Sequence, residues 1–434
     1  MWRRTLTGLI GGNPAHYARK IEHFLERRRD ATAAAWNLDD GVVLIAAGDE
    51  IPVPGRGDRT YPYRAHSEYF YLTDRERPRG VLAFDPSEGW VEFVAPVTAE
   101  ELLWTGLAGD REGVPEGTRP VDELESFVRD RPVRRLGAAA DPDVALRDAL
   151  IRVRRPKDDV EVERMRVAAE ATRAGFLHLA SLIEAGRSER ELQVALEAAF
   201  LRNGGDFLAF ETIVAAGDHA AVLHFAPTAQ VLRHGELLLV DAGAEFRGYA
   251  SDVTRTYAVG GVFAPEQALV YETVQRAGEA AINVCRAGVN WHDIHFAAAL
   301  VVADGLIELG VLRGERASLV ESGAVALFFP HSVGHMVGLG IRDAGAASDE
   351  AREPPPGLPR LRVDIQLAPR QAWTVEPGIY FVPGLIARAR DRNDVVWHRV
   401  DKLQGFGGVR IEQNVLIEDD GCEVLTAAIP LAET

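Results

Sequence analysis

The feature that most constrains the chain is a strand-like stretch with an aspartate near each end, Leu237-Leu-Leu-Val-Asp-Ala-Gly-Ala-Glu-Phe-Arg-Gly-Tyr-Ala-Ser-Asp252. A turn around Phe246 to Gly248 makes it a hairpin, with Asp241 and Asp252 directly opposite. Opposed hairpin residues have side-chain roots about 4.5–5.5 Å apart, where like charges destabilise the pair. Aspartate is also depleted in strands. A bound cation offsets the repulsion, and so does protonation of one carboxyl. A turn centred elsewhere leaves one aspartate in water. The hairpin alone does not choose among these.

Three further residues bear on the choice. In Gly408-Val-Arg-Ile-Glu-Gln-Asn-Val-Leu-Ile417, alternation puts Val409 and Ile411 on one face and Arg410, Glu412 and Asn414 on the other. That second face is either wet or turned towards a site. Glu376 ends an apolar strand immediately before Pro377-Gly378, which fixes it at a strand terminus. His335 lies in the glycine-punctuated stretch His331-Ser-Val-Gly-His-Met-Val-Gly-Leu-Gly340, as a structural histidine or a ligand. The HxxxH spacing lacks the glutamate of the HExxH zinc helix, which excludes that class. Four carboxylates and one imidazole suit hard-to-borderline divalent ions such as Mn²⁺ better than thiol-loving metals. Two such ions about 3.5–4 Å apart make water a nucleophile at neutral pH and stabilise an oxyanion.

The rest of the chain sets the frame. Its 434 residues exceed one ordinary domain. A proline-containing basic segment, Arg152-Val-Arg-Arg-Pro-Lys157, divides a domain over 1–155 from one over 156–434. A net charge of −17 argues against nucleic acid or anionic membrane as partner. No apolar run approaches the roughly 18 residues of a membrane helix. Cys285 and Cys422 have no partner spacing for zinc and read as free thiols of a reducing compartment, so a cytoplasmic location is expected. Strands are expected at Gly41–Ala47, Gly80–Phe84 and Trp90–Ala95. Helices follow from Asp158, from the Ser188/Glu191 capping box, from Pro265 and from His292, and the chain then returns to strands. This order predicts an α+β fold with antiparallel sheet. The aromatic run Tyr61-Pro-Tyr-Arg-Ala-His-Ser-Glu-Tyr-Phe-Tyr71 reads as core packing ahead of substrate contact.

Four segments together carry a resemblance: Val240 to Thr256, Pro330-His-Ser-Val-Gly-His335, Val375-Glu-Pro-Gly-Ile-Tyr380 and Val409-Arg-Ile-Glu412. They resemble the Xaa-Pro peptidases of metallopeptidase family M24, prolidase and aminopeptidase P, over about residues 156 to 430. The resemblance implies a C-terminal pita-bread domain of the creatinase and methionine aminopeptidase type, behind a smaller α/β N-terminal domain. It implies that Asp241 chelates one metal ion, His335 and Glu376 bind the other, and Asp252 and Glu412 bridge both. The ions are expected to be Mn²⁺, with Co²⁺ or Zn²⁺ possible. A bridging hydroxide attacks the carbonyl before proline, and Glu376 moves its proton. His224, in Asp218-His-Ala-Ala-Val-Leu-His-Phe225, matches the family's substrate-binding histidine, while His331 and Arg410 match catalytic pocket positions and Tyr380 a substrate contact.

Within the family, Glu376 to Ile386 and Phe406 to Glu412 resemble bacterial prolidases, and Arg362 falls where those enzymes read a dipeptide's C-terminal carboxylate. The expected activity is therefore hydrolysis of Xaa-Pro dipeptides, with aminopeptidase P action on longer Xaa-Pro peptides as the alternative. A non-catalytic peptide-binding relative is the alternative of another class. Arg342 departs from the family by standing where a histidine is usual, and it brings a permanent charge near the substrate. The resemblance also implies a homodimer.

Overall fold

The computed structural model describes residues 14–57, 59–105, 116–350, 352–353, 355–358, 361 and 363–433. These separate into two compact units, residues 14–154 and 155–433.

The first unit strings α1 (Pro14–Trp36), β1 (Val42–Ala46), α2 (Ser67–Thr73), β2 (Val81–Asp85), β3 (Gly89–Val94), α3 (Ala99–Thr105), β4 (Arg119–Pro120), α4 (Leu124–Val128), β5 (Val133–Gly137) and α5 (Val144–Arg154). Its sheet has the order β4-β3-β2-β1-β5 and is mixed: β1 runs antiparallel to β2 and parallel to β5. The aromatic run divides by burial. Tyr69, Phe70 and Tyr71 on α2 are buried, whereas Tyr61 stays half exposed. Packing accounts for the former.

The second unit opens with two capped helices. Asp158 and Glu161 form a capping box at α6 (Asp159–Ala180), and Ser188 and Glu191 form another at α7 (Glu189–Arg202). Strands β6 (Phe207–Leu208), β7 (Ile213–Ala216), β8 (Leu237–Ala242), β9 (Ala244–Phe246), β10 (Tyr249–Ala250) and β11 (Val253–Ala258) follow. Helices α8 (Pro265–Val284), α9 (Trp291–Glu308) and α10 (Arg316–Glu321) lead on to β12 (Ala372–Val375) and β13 (Gly378–Tyr380). After α11 (Pro383–Arg388) and α12 (Trp397–Lys402) come β14 (Gly408–Arg410), β15 (Gln413–Glu418) and β16 (Gly421–Val424). Among the described residues every ladder of this unit is antiparallel, in the orders β10-β9-β6, β11-β8-β7, β12-β15-β16 and β13-β14. Apolar side chains of α8 and α9, among them Val274, Trp291 and Val302, pack with Trp373, Val409 and Val415 from the strands in one core.

Two strand stretches are broken, and both breaks matter. The stretch from Tyr249 to Tyr257 splits at Ser251-Asp252, and that from Gly408 to Ile417 splits at Ile411-Glu412. An acid stands at each break, where the backbone leaves its ladder.

Candidate active site

The hairpin register differs from the sequence expectation. The turn residues are Arg247 and Gly248, with φ of 51° and 80°, between the paired Phe246 and Tyr249. Two successive residues at positive φ make a type I′ loop, whose twist matches a two-residue hairpin. Asp241 therefore lies opposite Thr254, and Asp252 falls just beyond the β8–β11 ladder, whose first rung joins Val253 to Ala242. The two acids share a face without being directly opposed. Thr254, on the same face, gives its hydroxyl to Glu412 Oε2 at 2.7 Å.

Backbone pairing fixes each donor. Glu412 N–H donates to the Thr254 carbonyl at 3.1 Å. Asp252 and Asn414 exchange two bonds, from Asp252 N–H to Asn414 Oδ1 at 2.9 Å and from Asn414 Nδ2 to the Asp252 carbonyl at 2.6 Å. The segment from Val333 to Val337 runs along β12, where Thr374 N–H donates to the His335 carbonyl and Glu376 N–H to the Val333 carbonyl. Gly334 allows this approach, since a Cβ there would sit 2.0 Å from the Thr374 carbonyl oxygen. One pairing thus places both His335 and Glu376.

The result is a group of acids around one imidazole. Asp252, His335 and Glu412 offer ligand atoms that all lie within 4.8 Å of one another. His335 Nε2 is 3.4 Å from Asp252 Oδ2 and 3.7 Å from Glu376 Oε1. Its Nδ1 faces the Met336 carbonyl at 3.0 Å, which can only accept, so Nδ1 carries a proton and Nε2 is the atom His335 turns to the acids. Asp241 Oδ2 accepts from Arg410 Nη2 at 2.5 Å, while its Oδ1 is buried without a hydrogen-bond partner among the described residues.

Electrostatics describe the same want. Burial lifts Asp241 to about 7; Arg410 opposes the shift, and Asp252 and Glu376 reinforce it. Burial also raises Glu376, against His335 and Arg410, and carries Glu412 well above the carboxylate range, helped by Asp252 and Glu376. Burial pulls His335 down, but the Asp252 hydrogen bond and the Glu376 charge outweigh it and the net shift is upward. Mutually repelling buried carboxyls, an orphaned oxygen and an inward imidazole nitrogen fit divalent cations. Of the alternatives for Arg410, Glu412 and Asn414, the wet face is the one the fold rejects, since all three are buried.

Asp241, Asp252, His335, Glu376 and Glu412 line a cleft of about 770 Å³, together with His224, His331, Arg342 and Arg410. That volume accommodates a short peptide. Tyr380, expected as a substrate contact, is fully buried and stands behind this lining. Its hydroxyl accepts from Arg410 Nη1 at 2.8 Å and donates to His331 Nε2 at 2.9 Å, because His331 Nδ1 is already spent on the Ser332 carbonyl. Burial, aided by Arg410, pushes His331 down to about 3, which keeps it neutral. His224 and Arg342 are exposed on the cleft wall. Arg362 lies outside the described residues.

One supporting residue was not anticipated. Glu189, at the start of α7 and fully buried, accepts from Ala216 N–H at 2.9 Å, Thr228 N–H at 3.0 Å and Thr228 Oγ1 at 2.7 Å, and pairs with His219 Nδ1 at 2.8 Å. The His219 ring stacks on Phe225 at 4.1 Å. Glu189 thereby clamps both ends of the loop that carries His224. In sequence, an acid after a serine cap suggests only a favourable helix-dipole position.

Comparison with known proteins agrees with this geometry. Residues 24–128 match the aminopeptidase P N-terminal domain, and residues 163–419 match metallopeptidase family M24. A probable Xaa-Pro aminopeptidase of Botryotinia fuckeliana is 30% identical over 98% of this chain and 96% of its own length. The structure of Pseudomonas aeruginosa aminopeptidase PepP superposes with a TM-score of 0.79 at 30% identity, covering 94% of this chain and 95% of that one. Escherichia coli aminopeptidase P with the inhibitor Pro-Leu gives 0.78 at 26% identity, covering 94% and 95%. The second unit is thus a pita-bread domain and the first an aminopeptidase P-type N-terminal domain, and the chain belongs to metallopeptidase family M24.

Proposed function

We propose that the chain is an Xaa-Pro aminopeptidase, which removes the residue preceding proline from the N-terminus of short peptides. The observation that carries this reading is the convergence of Asp241, Asp252, His335, Glu376 and Glu412 on one cleft, with an orphaned Asp241 oxygen among them. Its extension to Xaa-Pro substrates rests on relatives matched along nearly their whole length. These relatives favour aminopeptidase over the dipeptidase expectation, which becomes the second reading. An intact donor set speaks against a non-catalytic binding protein.

Those five residues would hold two divalent ions, Mn²⁺ first given the oxygen-rich donors, which when bound supply Lewis-acid activation of water and of the scissile carbonyl. The remaining work belongs to the side chains. Glu376, in the cleft lining with a raised proton affinity, takes a proton from the attacking water and gives it to the prolyl nitrogen as the C–N bond breaks. Arg410 holds Asp241 in place and neutralises part of the acidic cluster. Neutral His331 and Tyr380 hold Arg410 from behind. Partial desolvation by the cleft wall, with the charges of Arg342 and Arg410, lowers the proton affinity of His224, so it meets the substrate as a neutral hydrogen-bonding imidazole. The homodimer and the cytoplasmic location belong to this proposal. Among the described residues no helix is long and apolar enough to cross a membrane.

Hydrolysis of Ala-Pro-Ala and Ala-Pro by chelator-stripped protein, with and without Mn²⁺, tests the reading. Metal-dependent release of alanine from the tripeptide is expected to dominate. Cleavage of the dipeptide alone would make the chain a prolidase, and cleavage of neither by metal-bound protein would sink the peptidase reading.

A further inference from the structure

The cleft wall carries a cation that meets no partner among the described residues. Arg342 precedes Asp343, whose carboxylate is 2.6 Å from Lys157 Nζ and accepts the N–H groups of Leu339 at 3.1 Å and Ala344 at 2.7 Å. The Lys157 and Asp343 side chains are 0% and 1% exposed. The backbone presenting Arg342 is therefore pinned, while its guanidinium is exposed in the cleft near enough to act on His224 and Glu376. Among the described residues Arg342 has no hydrogen-bond or ion-pair partner. The other two arginines of the lining are occupied. Arg190 donates to the Pro227 carbonyl at 2.6 Å and Gln193 Oε1 at 2.9 Å, and Arg410 is committed to Asp241, Tyr380 and Thr254.

Resting on the peptidase reading, we propose that Arg342 forms an anion subsite selecting peptides with a carboxylate on the C-terminal side of the scissile bond. Charge sets the orientation. A peptide's α-ammonium is drawn to the acidic cluster and repelled by Arg342, so the opposite end of the substrate meets the guanidinium. A guanidinium receives a carboxylate through two parallel N–H bonds, a geometry that lysine lacks. The carboxylate is either the free C-terminus of a dipeptide or an acidic side chain following proline. At an exposed position such a pair contributes up to about fivefold in binding.

Steady-state kinetics on two matched pairs read this directly: Ala-Pro against Ala-Pro-NH₂, and Ala-Pro-Glu-NH₂ against Ala-Pro-Gln-NH₂. Wild type is expected to favour the carboxylate member of one pair by about fivefold in kcat/KM, mostly through KM. The favoured pair identifies the source, a free C-terminus or a side chain. In Arg342→Gln that ratio falls to about one, and Arg342→Lys keeps part of it. No charge preference in wild type, or an unchanged ratio in Arg342→Gln, overturns the proposal. Titration calorimetry of the same peptides reads the ratio without turnover. Preferential binding without cleavage would keep the subsite and sink the peptidase reading, whereas equal binding would sink the subsite.

Discussion

Asp241, Asp252 and Glu412 are 8%, 5% and 1% exposed, while His224 and Arg342 on the same cleft are exposed to solvent. The acids sit on or beside strand ladders whose backbone bonds leave them little freedom. His224 and Arg342 occupy loops fixed from behind, by Glu189 in one case and by Lys157 with Asp343 in the other. Holding mutually repelling charges together needs rigid scaffolding, whereas substrate selection uses loops that change without disturbing it. The comparison predicts that changes at the acids cost stability or metal, and that changes on the wall cost substrate affinity.

The largest effect is expected at Arg410. It is 4% exposed and supplies the direct cationic partner of Asp241. Arg410→Met leaves that carboxyl and the Tyr380 hydroxyl without their donor, and breaking a buried pair from one side typically costs about 3–5 kcal/mol. Denaturant unfolding of metal-free protein measures it. A loss below about 1 kcal/mol, the range of exposed pairs, would place Arg410 with the wall.

Glu412 separates stability from function. Burial and the neighbouring acids raise its proton affinity, and glutamine is nearly isosteric with the acid and can keep the acceptor for the Thr254 hydroxyl. Glu412→Gln is expected to lower metal-dependent kcat/KM by more than about 100-fold, the upper range for losing a group that merely supports a ligand. The melting temperature of the metal-free protein should not fall. A large fall with activity retained would make Glu412 structural.

Legibility in the sequence follows the same division. The four acids are readable as candidates because each interrupts an apolar strand or its terminus, where carboxylates are unfavourable without a reason, whereas His335 carries no such signal. The register of the acids is not readable. Whether Asp241 faces Asp252 or Thr254 depends on which residues take positive φ, and Arg247 does so although arginine gives no such signal. The resemblance suggested Tyr380 as a substrate contact, and only packing reveals that its hydroxyl is consumed by Arg410 and His331. Glu189 escaped notice because its partners lie 27 to 39 residues away, beyond any helical pattern.

On the wall, Glu189→Gln is expected to raise KM by about tenfold with metal affinity unchanged. The amide keeps one acceptor oxygen and turns its NH₂ towards groups that also donate. One unsatisfied buried group costs about 1–3 kcal/mol, part of which appears as loss of order in the loop carrying His224. Metal titration alongside kinetics distinguishes the two regions. If metal affinity falls with KM unchanged, the clamp serves the acids and the division between floor and wall fails.

The smallest effect, and the sharpest test of the acidic floor, is its pH dependence. Asp241 is raised from 3.8 to about 7, first by burial. Between those values the folded metal-free protein keeps a proton that the unfolded chain has released, so this group's stabilising contribution is full below about pH 4 and is lost as pH rises through 7. Glu376 and Glu412 are raised as well and act with the same sign. Metal reverses the trend, because it binds the deprotonated carboxylates and tightens as protons leave. Melting curves of wild type and Asp241→Asn, each stripped of metal, isolate the residue. Wild type should lose ground to the variant from pH 4 to 7 and level off above. A wild type that gains ground over that window would mean that Asp241 is already ionised against Arg410, so that the guanidinium rather than a metal ion satisfies the hairpin.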